Sequence, residues 1–561
     1  MGVFTYNNYA ANIPEELFTT RGHRFVKKIN QGVHTVAYSN KILVNNQNYY
    51  SFSNGDYIIG IGTYLYKHKF GYEALQDIFI DFQEDSYSFP EKIYGHYAFI
   101  IAKISQRKVY ILNDRAGTFR LYYTLSEGKV CVSSSMLAVI QSLTTPKFDQ
   151  IRLAAFLCTE LGRELSFVKG VEILNPNQVI VITDDIAKLA DKPEVKLPPV
   201  ISVLSESVDY VLSLIKEQIE QFQCMNEHIN SFSVELTGGL DSRLLSCILR
   251  SGHLEYDFVH YPLFGPDKEI AELVSGRLGK KLITIYDPKI PDGKIDEFWG
   301  EFDFMFNYYR HYPNQRWCIP HEIQFSGLQG ECLSTVDFQS IQHKEIILSE
   351  LLPQLITHPL MNDKLFEEYL DNMLIYYQKY LNLISKKGLS DYEQSLFIQH
   401  LFVQRTGDGP FVSAQNAHQY FYSVYNEYNF IHAISAISLD VRRGRKLSIA
   451  LIKQLDQELA SMPFVSRRRT KGLSIKDIES IPETYKSFNG LREKLPDWMV
   501  NLAYKILDRK KQTDEITKSI DYDFYAPFLS VKSLKRFPNL YSDVIHRLAS
   551  VEVVRKKLNI I

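Results

Sequence analysis

Thr237-Gly238-Gly239-Leu240-Asp241-Ser242 sets two hydroxyls, two glycines and one carboxylate side by side. Ser231–Leu236 before it alternates like a strand. From Asp241 to about Arg250 the apolar spacing is helical, with Gly252 and His253 as the expected stop. A strand that ends in a glycine turn at a helix N-terminus is an anion cradle. Glycines let backbone N–H groups approach phosphate oxygens, and the helix dipole favours negative charge there. Asp241 at that spot repels phosphate unless a cation lies between them, so the natural occupant is a magnesium-bridged polyphosphate. The spacing is not the Walker type, because no Gly-Lys-Ser/Thr follows.

The elements that must carry this loop are readable around it. Ser205-Glu-Ser-Val-Asp-Tyr-Val opens a helix with a cap-like start and apolar spacing through Phe222. Tyr256–Tyr261 reads as a second strand, about Asp267 to Leu278 as a helix closed by Gly279, and Leu282–Tyr286 as a third strand. Strands alternating with helices predict a parallel α/β sheet. Residues 1–190 instead hold short alternating runs, such as Tyr57–Gly62, Tyr97–Lys103, Lys129–Ser133 and Val179–Ile182. Helices are expected near Gly71–Glu84 and Met136–Ser142. The Pro-containing stretch Asp191–Pro199 reads as linker, giving a division into 1–190, a linker at 191–204 and 205–561. From about residue 340 onward the pattern is mostly helical.

The chain has 561 residues, so several domains are expected. A net charge of −2 gives no basis for bulk binding to nucleic acid or to an anionic membrane. The 6 cysteines show no CxxC spacing and mostly sit in apolar runs, as buried free thiols in a reducing cytosol would. The N-terminus lacks a signal-peptide pattern, and no apolar run is long enough to span a bilayer. A cytoplasmic protein is expected.

Taken together, the chain resembles the asparagine-synthetase-like superfamily. In that superfamily an αββα glutaminase-type domain of class II amidotransferases precedes an ATP-pyrophosphatase synthetase domain, here with a helical C-terminal extension. The resemblance rests on Gly95-His-Tyr-Ala-Phe, Asn113-Asp114-Arg115-Ala116-Gly117, Leu121-Tyr122-Tyr123 and Ser133-Ser134-Ser135, in order, and then on the loop at 237–242. It continues with Ala271-x-x-Val274-Ser275-x-x-Leu278-Gly279, Phe325-Ser-Gly-Leu-Gln-Gly-Glu331 and Leu439-Asp-Val-Arg-Arg-Gly-Arg-Lys446-Leu447. A basic run, Arg467–Gly472, is similar to a late element of the same series. The resemblance implies that Asp241 and Glu331 hold Mg2+ and that Lys446 neutralises the α-phosphate of ATP. Leu236, Thr237, Gly238, Gly239, Asp241, Ser242 and Gly327, with Lys446, would cradle the nucleotide and pyrophosphate. Asp267 lies where the family often has an acid, and its own setting reads as a solvated helix start.

Two departures matter. Glutamine-hydrolysing members use an N-terminal cysteine, whereas position 2 here is Gly2 and the first cysteine is Cys131. The N-terminal domain is therefore expected not to hydrolyse glutamine, which is similar to β-lactam synthetases and lasso-peptide cyclases. Leu328 stands where members often carry a carboxylate or tyrosine linked to deprotonating the amine, and leucine cannot do that. His321, Glu322 and Tyr309 are nearby in sequence.

The expectation is an ATP-dependent carbon–nitrogen ligase that adenylates a carboxylate and passes the acyl group to an amine. Its substrate would be a peptide or a sugar acid in a biosynthetic pathway, with a homodimer or a partner biosynthetic protein compatible. An asparagine synthetase using ammonia or glutamine, and a non-catalytic nucleotide- or partner-binding homologue, are the alternatives.

Overall fold

The structure is a computed structural model and describes residues 3–9, 13, 18–19, 23, 27–158, 165–193, 196, 198–261, 265–285, 321–334, 360, 363–384, 408–442, 445–465, 472–473, 520–526, 529–536 and 542–557. Antiparallel sheets make up its N-terminal part, and a parallel sheet follows.

The first antiparallel sheet runs Glu172–Ile173, Tyr122–Ser126, Lys129–Ser133, Phe4–Asn7, His34–Tyr38, Lys27–Gln31. The second runs Ile186–Asp191, Gln178–Thr183, Lys108–Asn113, Tyr94–Lys103, Tyr57–Tyr66, Tyr49–Ser51. Their facing sides share one core, in which Phe4, Tyr6, Val36 and Val132 meet Ile59, Ile61, Ala98, Ile100 and Ile180. This is the alternation of a two-sided strand. The helix Tyr72–Asp81 packs Ala74, Leu75 and Ile78 on the outer face of the second sheet. Met136–Gln141 and Gln150–Cys158 cover the outer face of the first. The layers are thus helix, sheet, sheet, helix. Lys192, at the start of the stretch read as linker, is buried and donates to Asn113 O at 3.0 Å and Pro176 O at 2.8 Å.

The five-stranded sheet is parallel throughout, in the order Leu282–Thr284, Asp257–His260, Phe232–Glu235, Ile323–Ser326, Tyr420–Ser423. The chain builds outward from Phe232–Glu235 in one direction and then resumes on its other side with Ile323–Ser326. That reversal is a topological switch point, where the loops at the strand C-termini leave a crevice. The helices Leu204–Gln223, Leu240–Ser251 and Lys446–Leu455 share one apolar core with these strands.

Several expectations shift by a residue or two, and some shift in kind. The fifth strand, Tyr420–Ser423, lies in the stretch read as helical; its aromatic run YFYS is buried throughout. Val203, not a serine, is the N-cap of Leu204–Gln223, and Ser207 Oγ donates to Val203 O at 2.8 Å. Helix Leu240–Ser251 is closed by His253 in the left-handed conformation (φ 56°), while Gly252 keeps a negative φ. The last helix, Ser542–Lys557, returns to the N-terminal sandwich, where Arg547 donates to Phe156 O at 3.0 Å.

The sandwich docks on the free edge of the parallel sheet. In a parallel ladder alternate residues of an edge strand turn their N–H groups outward. Here those are Phe421 and Ser423. Thr63 Oγ1 accepts from Phe421 N–H and His96 Nε2 from Ser423 N–H, each at 3.1 Å. Thr63 and His96 are direct cross-strand partners in the second sheet. They are flanked by Gly62 (φ 97°) and Gly95 (φ 117°), where a Cβ would strike His96 O and Thr63 O respectively.

Candidate functional site at the strand C-termini

The loop after Phe232–Glu235 is organised by its own side chains. Thr237 N–H donates to Ser242 Oγ at 3.0 Å, and Gly239 N–H donates to Thr237 Oγ1 at 3.2 Å. The two hydroxyls lie 3.0 Å apart. Gly238 N–H donates to Asp267 Oδ1 at 2.7 Å. Asp267 is 5% exposed, so the reading of a solvated helix-start acid is corrected. Its helix, Gly265–Leu278, follows the neighbouring strand, and the crossover lays its first turn over the loop. Leu236 is fully buried in the core and its carbonyl oxygen contacts His260 Nδ1 at 2.8 Å. Gly239 caps Leu240–Ser251 with no side-chain bond, and Asp241 sits in the first turn, favourable for the dipole.

The second loop, Gly327–Gly330, closes over this first turn. A Cβ at Gly327 would lie 3.0 Å from Ser242 N and 3.1 Å from Ser242 Cα. One at Gly330 would lie 2.8 Å from Asp241 Oδ1 and closer still to its Cβ and Cγ. Both glycines are therefore needed for the approach. Gln329 between them is left-handed (φ 68°), and its Nε2 donates to Asp408 Oδ2 at 2.5 Å. Leu328 O accepts from Ser423 Oγ at 2.9 Å. The single turn Gly330–Leu333 carries position 331, and Arg442 clamps that turn by donating to Cys332 O at 3.0 Å. The third contributor is the turn after Tyr420–Ser423, where Tyr425 Oη donates to Asp241 O at 2.9 Å.

Sequence reasoning missed the polar layer beneath these loops. Glu235 is 8% exposed and accepts from Gln324 Nε2 at 2.7 Å and from Ser326 Oγ. Gln324 Oε1 in turn accepts from Gln419 Nε2 at 2.8 Å. The alternation of Ser231–Leu236 was the only signal, since a carboxylate inside a parallel sheet must be hydrogen-bonded. Arg243, fully buried, donates to Leu459 O, Met462 O and Pro463 O and so fastens the chain after Lys446–Leu455 to the loop helix. Burial pulls its guanidinium down to about 10.

The structure thus gathers Thr237, Gly238, Gly239, Asp241, Ser242, Gly327 and position 331 at one end of the sheet. Lys446 is the exposed first residue of a helix that packs against the loop helix. His321 and Glu322 lie at the opposite end. His321 Nε2 is 3.2 Å from Asp257 Oδ2, at the start of its strand, and Glu322 accepts from Asn230 N–H at 3.0 Å. Neither faces the loops. Tyr309, Arg467–Lys471, Cys318 and the side chain of Glu331 fall outside the described residues.

Among the described residues no cluster of three metal-ligating side chains occurs. A magnesium ion that keeps its waters and arrives on phosphate oxygens needs only one or two carboxylates. The carboxylate of Asp241, at a helix start and boxed by Gly330, suits that role. In the sandwich the thiols are not poised for attack. Burial pushes Cys131 up to about 11 and Cys158 up to about 12; outside it, Cys224 and Cys247 are pushed up to about 12.

Residues 77–191 match the model of the glutamine amidotransferase domain. They span Tyr94–Lys103, Asn113–Gly117 and both strands of the terminal hairpin, so the N-terminal part of the chain is amidotransferase-like. No curated protein matches the chain. A solved structure of glutamine phosphoribosylpyrophosphate amidotransferase from B. subtilis, complexed with ADP and GMP, is 10% identical with a TM-score of 0.20. The match covers 51% of this chain and 65% of that one, so the chain spans less than two thirds of its length. The allosteric regulatory enzyme of purine biosynthesis is 10% identical with a TM-score of 0.21, covering 58% of this chain and 74% of that one. Among the described residues no helix is long and apolar enough to cross a membrane.

Proposed function

We propose that the chain is an ATP-dependent amide-forming ligase. It adenylates a carboxylate with release of pyrophosphate and passes the acyl group to an amine, giving an amide and AMP, without hydrolysing glutamine. The observation that carries this reading is the packing of Gly327 and Gly330 onto Asp241 and Ser242 at the switch point. Two glycine loops around one carboxylate at a helix N-terminus suit a polyphosphate.

In this reading the loop hydroxyls and the N-terminal amides of Leu240–Ser251 orient the β- and γ-phosphates. Asp241 and Glu331 would hold magnesium, which offsets the charge of the leaving pyrophosphate. Lys446 would do the same at the α-phosphate. Adenylation turns a poor leaving oxygen of the carboxylate into a good one, and the amine then displaces AMP. The substrate is a peptide or small molecule with a carboxylate and an amine.

One observation favours a second reading, a nucleotide- or partner-binding homologue without chemistry. The amides of Thr237, Gly238 and Gly239 are already bonded within the protein, to Ser242, Asp267 and Thr237. The products formed from ATP separate the two. With its carboxylate and amine supplied, the ligase forms AMP, whereas the homologue binds ATP and leaves it intact. Glutamine added alone or with ATP releases no glutamate in either case; ATP-linked glutamate release would overturn the claim of a silent sandwich.

A further inference from the structure

The sandwich reaches the second loop through a continuous file of hydrogen bonds. Asp114 Oδ1 accepts from Thr118 N–H and from Thr118 Oγ1, each at 3.1 Å, and Asp114 Oδ2 accepts from Phe119 N–H at 2.8 Å. Thr118 Oγ1 lies 2.8 Å from His96 Nδ1. The Thr118 hydroxyl gives its proton to Asp114, so it must receive one from His96. Nε2 lies 3.1 Å from both the amide nitrogen and the carbonyl oxygen of Ser423; with the proton on Nδ1 it accepts from that N–H, so either way the ring is tied to the Ser423 backbone. Ser423 Oγ donates to Leu328 O at 2.9 Å and also takes Asn426 Nδ2 at 3.2 Å. Leu328 lies between Gly327 and Gly330, the residues that touch Ser242 and Asp241.

We propose that His96 is a positioning residue for the Gly327–Gly330 loop, and that the amidotransferase-like domain acts on the synthetase site as a clamp through His96, Ser423 and Leu328. Thr118, Ser423 and His96 are all fully buried, so each link is shielded from water and each has one geometry. Leu328 needs such a hold. The loop contains a left-handed Gln329 and two glycines, and loops of that kind drift unless their carbonyls are tied. Thr63 caps Phe421 in the same way but leads instead to Asn416, at 2.7 Å, and not to the loop. It is a natural control from the same interface.

Hydrogen exchange, read by mass spectrometry on the full chain, tests the clamp directly. His96→Phe keeps the ring and removes both bonds; exchange in peptides covering 327–333 is expected to rise about tenfold, the worth of one buried hydrogen bond. Exchange in 98–112 should stay within about twofold of wild type, because that sheet keeps its ladder. His96→Gln, whose amide can still accept from Ser423 N–H, should restore most of the protection. If His96→Phe fails to fold, Ser423→Ala removes the last link alone and should give the same local change. The consequence for catalysis rests on the ligase reading. There KM for magnesium-ATP should rise about tenfold in His96→Phe with kcat less affected. A wild-type protein with no ligase activity would sink the ligase reading and leave the exchange test standing. Unchanged exchange at 327–333, or an equal rise in Thr63→Val, would overturn the clamp.

Discussion

Asp267 holds the amide of Gly238 at 2.7 Å, across a strand crossover of 29 positions. The loop that reads as an anion cradle thus already carries a carboxylate on one of its donors. Either that carboxylate holds the loop ready or it must yield to a phosphate. Asp267→Asn keeps an acceptor oxygen and loses the charge. Thermal stability should change little, while the apparent affinity for ATP should change at least about tenfold in either direction. Asp267→Ala leaves a buried N–H unpaired and should cost on the order of 1–3 kcal/mol in denaturant unfolding. Equal ATP affinity in wild type and Asp267→Asn would mean that the loop does not bind phosphate.

Glycine at 330 is a steric requirement. A methyl group there meets the Asp241 carboxylate, with Oδ1 at 2.8 Å. Gly330→Ala should lower stability by about 1–3 kcal/mol and weaken ATP binding. Gly276, inside the helix Gly265–Leu278, has open space around its Cβ position. Gly276→Ala should therefore raise stability by about 0.5–1 kcal/mol. Chemical denaturation of both variants checks the pair, and a neutral Gly330→Ala would contradict the contact.

Glu427 caps the helix Tyr428–Ile434, accepting from Phe430 N–H at 3.2 Å, and is 1% exposed. Burial pushes its carboxyl up to about 8, well above the ordinary carboxylate value of 4.5. The folded protein holds this proton where the unfolded chain releases it. Stability from this group is present below about pH 4.5 and is lost as pH rises to about 8. Glu427→Gln is neutral throughout and still accepts from Phe430. The melting temperature of the variant relative to wild type should rise across that window and level off above it. A difference that does not vary with pH would contradict the buried, protonated carboxyl.

The loop at 237–242 was legible because strand, glycine turn and helix N-terminus follow one another in the chain. Its length and both flanking elements came out within a residue or two. What the sequence hid was which distant residues meet. Asp267 looked solvated because nothing local says that its helix crosses over the first loop. The fifth strand, Tyr420–Ser423, was missed because four consecutive buried positions, three of them aromatic, carry no alternation. His96 stands in the sequence only as part of the run Gly95-His-Tyr-Ala-Phe. Its contact with Ser423 spans 327 positions and depends on two sheets docking edge to face. Asp408 and Glu235 escaped for the same reason.

Two cations in the segment 439–447 should behave differently. Arg442 is 1% exposed and bonded to Cys332 O, so Arg442→Ala should cost on the order of 1–3 kcal/mol of stability. Lys446 is exposed, and Lys446→Ala should leave stability within about 0.5 kcal/mol. If Lys446 serves the α-phosphate, the same change lowers the adenylation rate by about 10²–10³, and Lys446→Arg fails as well because a planar fork does not replace a compact ammonium. Parallel unfolding and rate measurements separate the structural cation from the chemical one. An unimpaired Lys446→Ala would require another cation for the mechanism.

Carboxylate-dependent exchange of labelled pyrophosphate into ATP tests the central claim most directly, run on wild type and Asp241→Asn across a panel of amino acids, peptides and sugar acids. Asp241 lies in the first turn of its helix and Asn matches it in shape, so the variant keeps its fold and loses only a dipole contribution of about 0.3–1 kcal/mol. The account predicts exchange with at least one carboxylate in wild type and its loss in Asp241→Asn. Exchange that survives in Asp241→Asn, or conversion of ATP to ADP and phosphate in place of AMP and pyrophosphate, would contradict it.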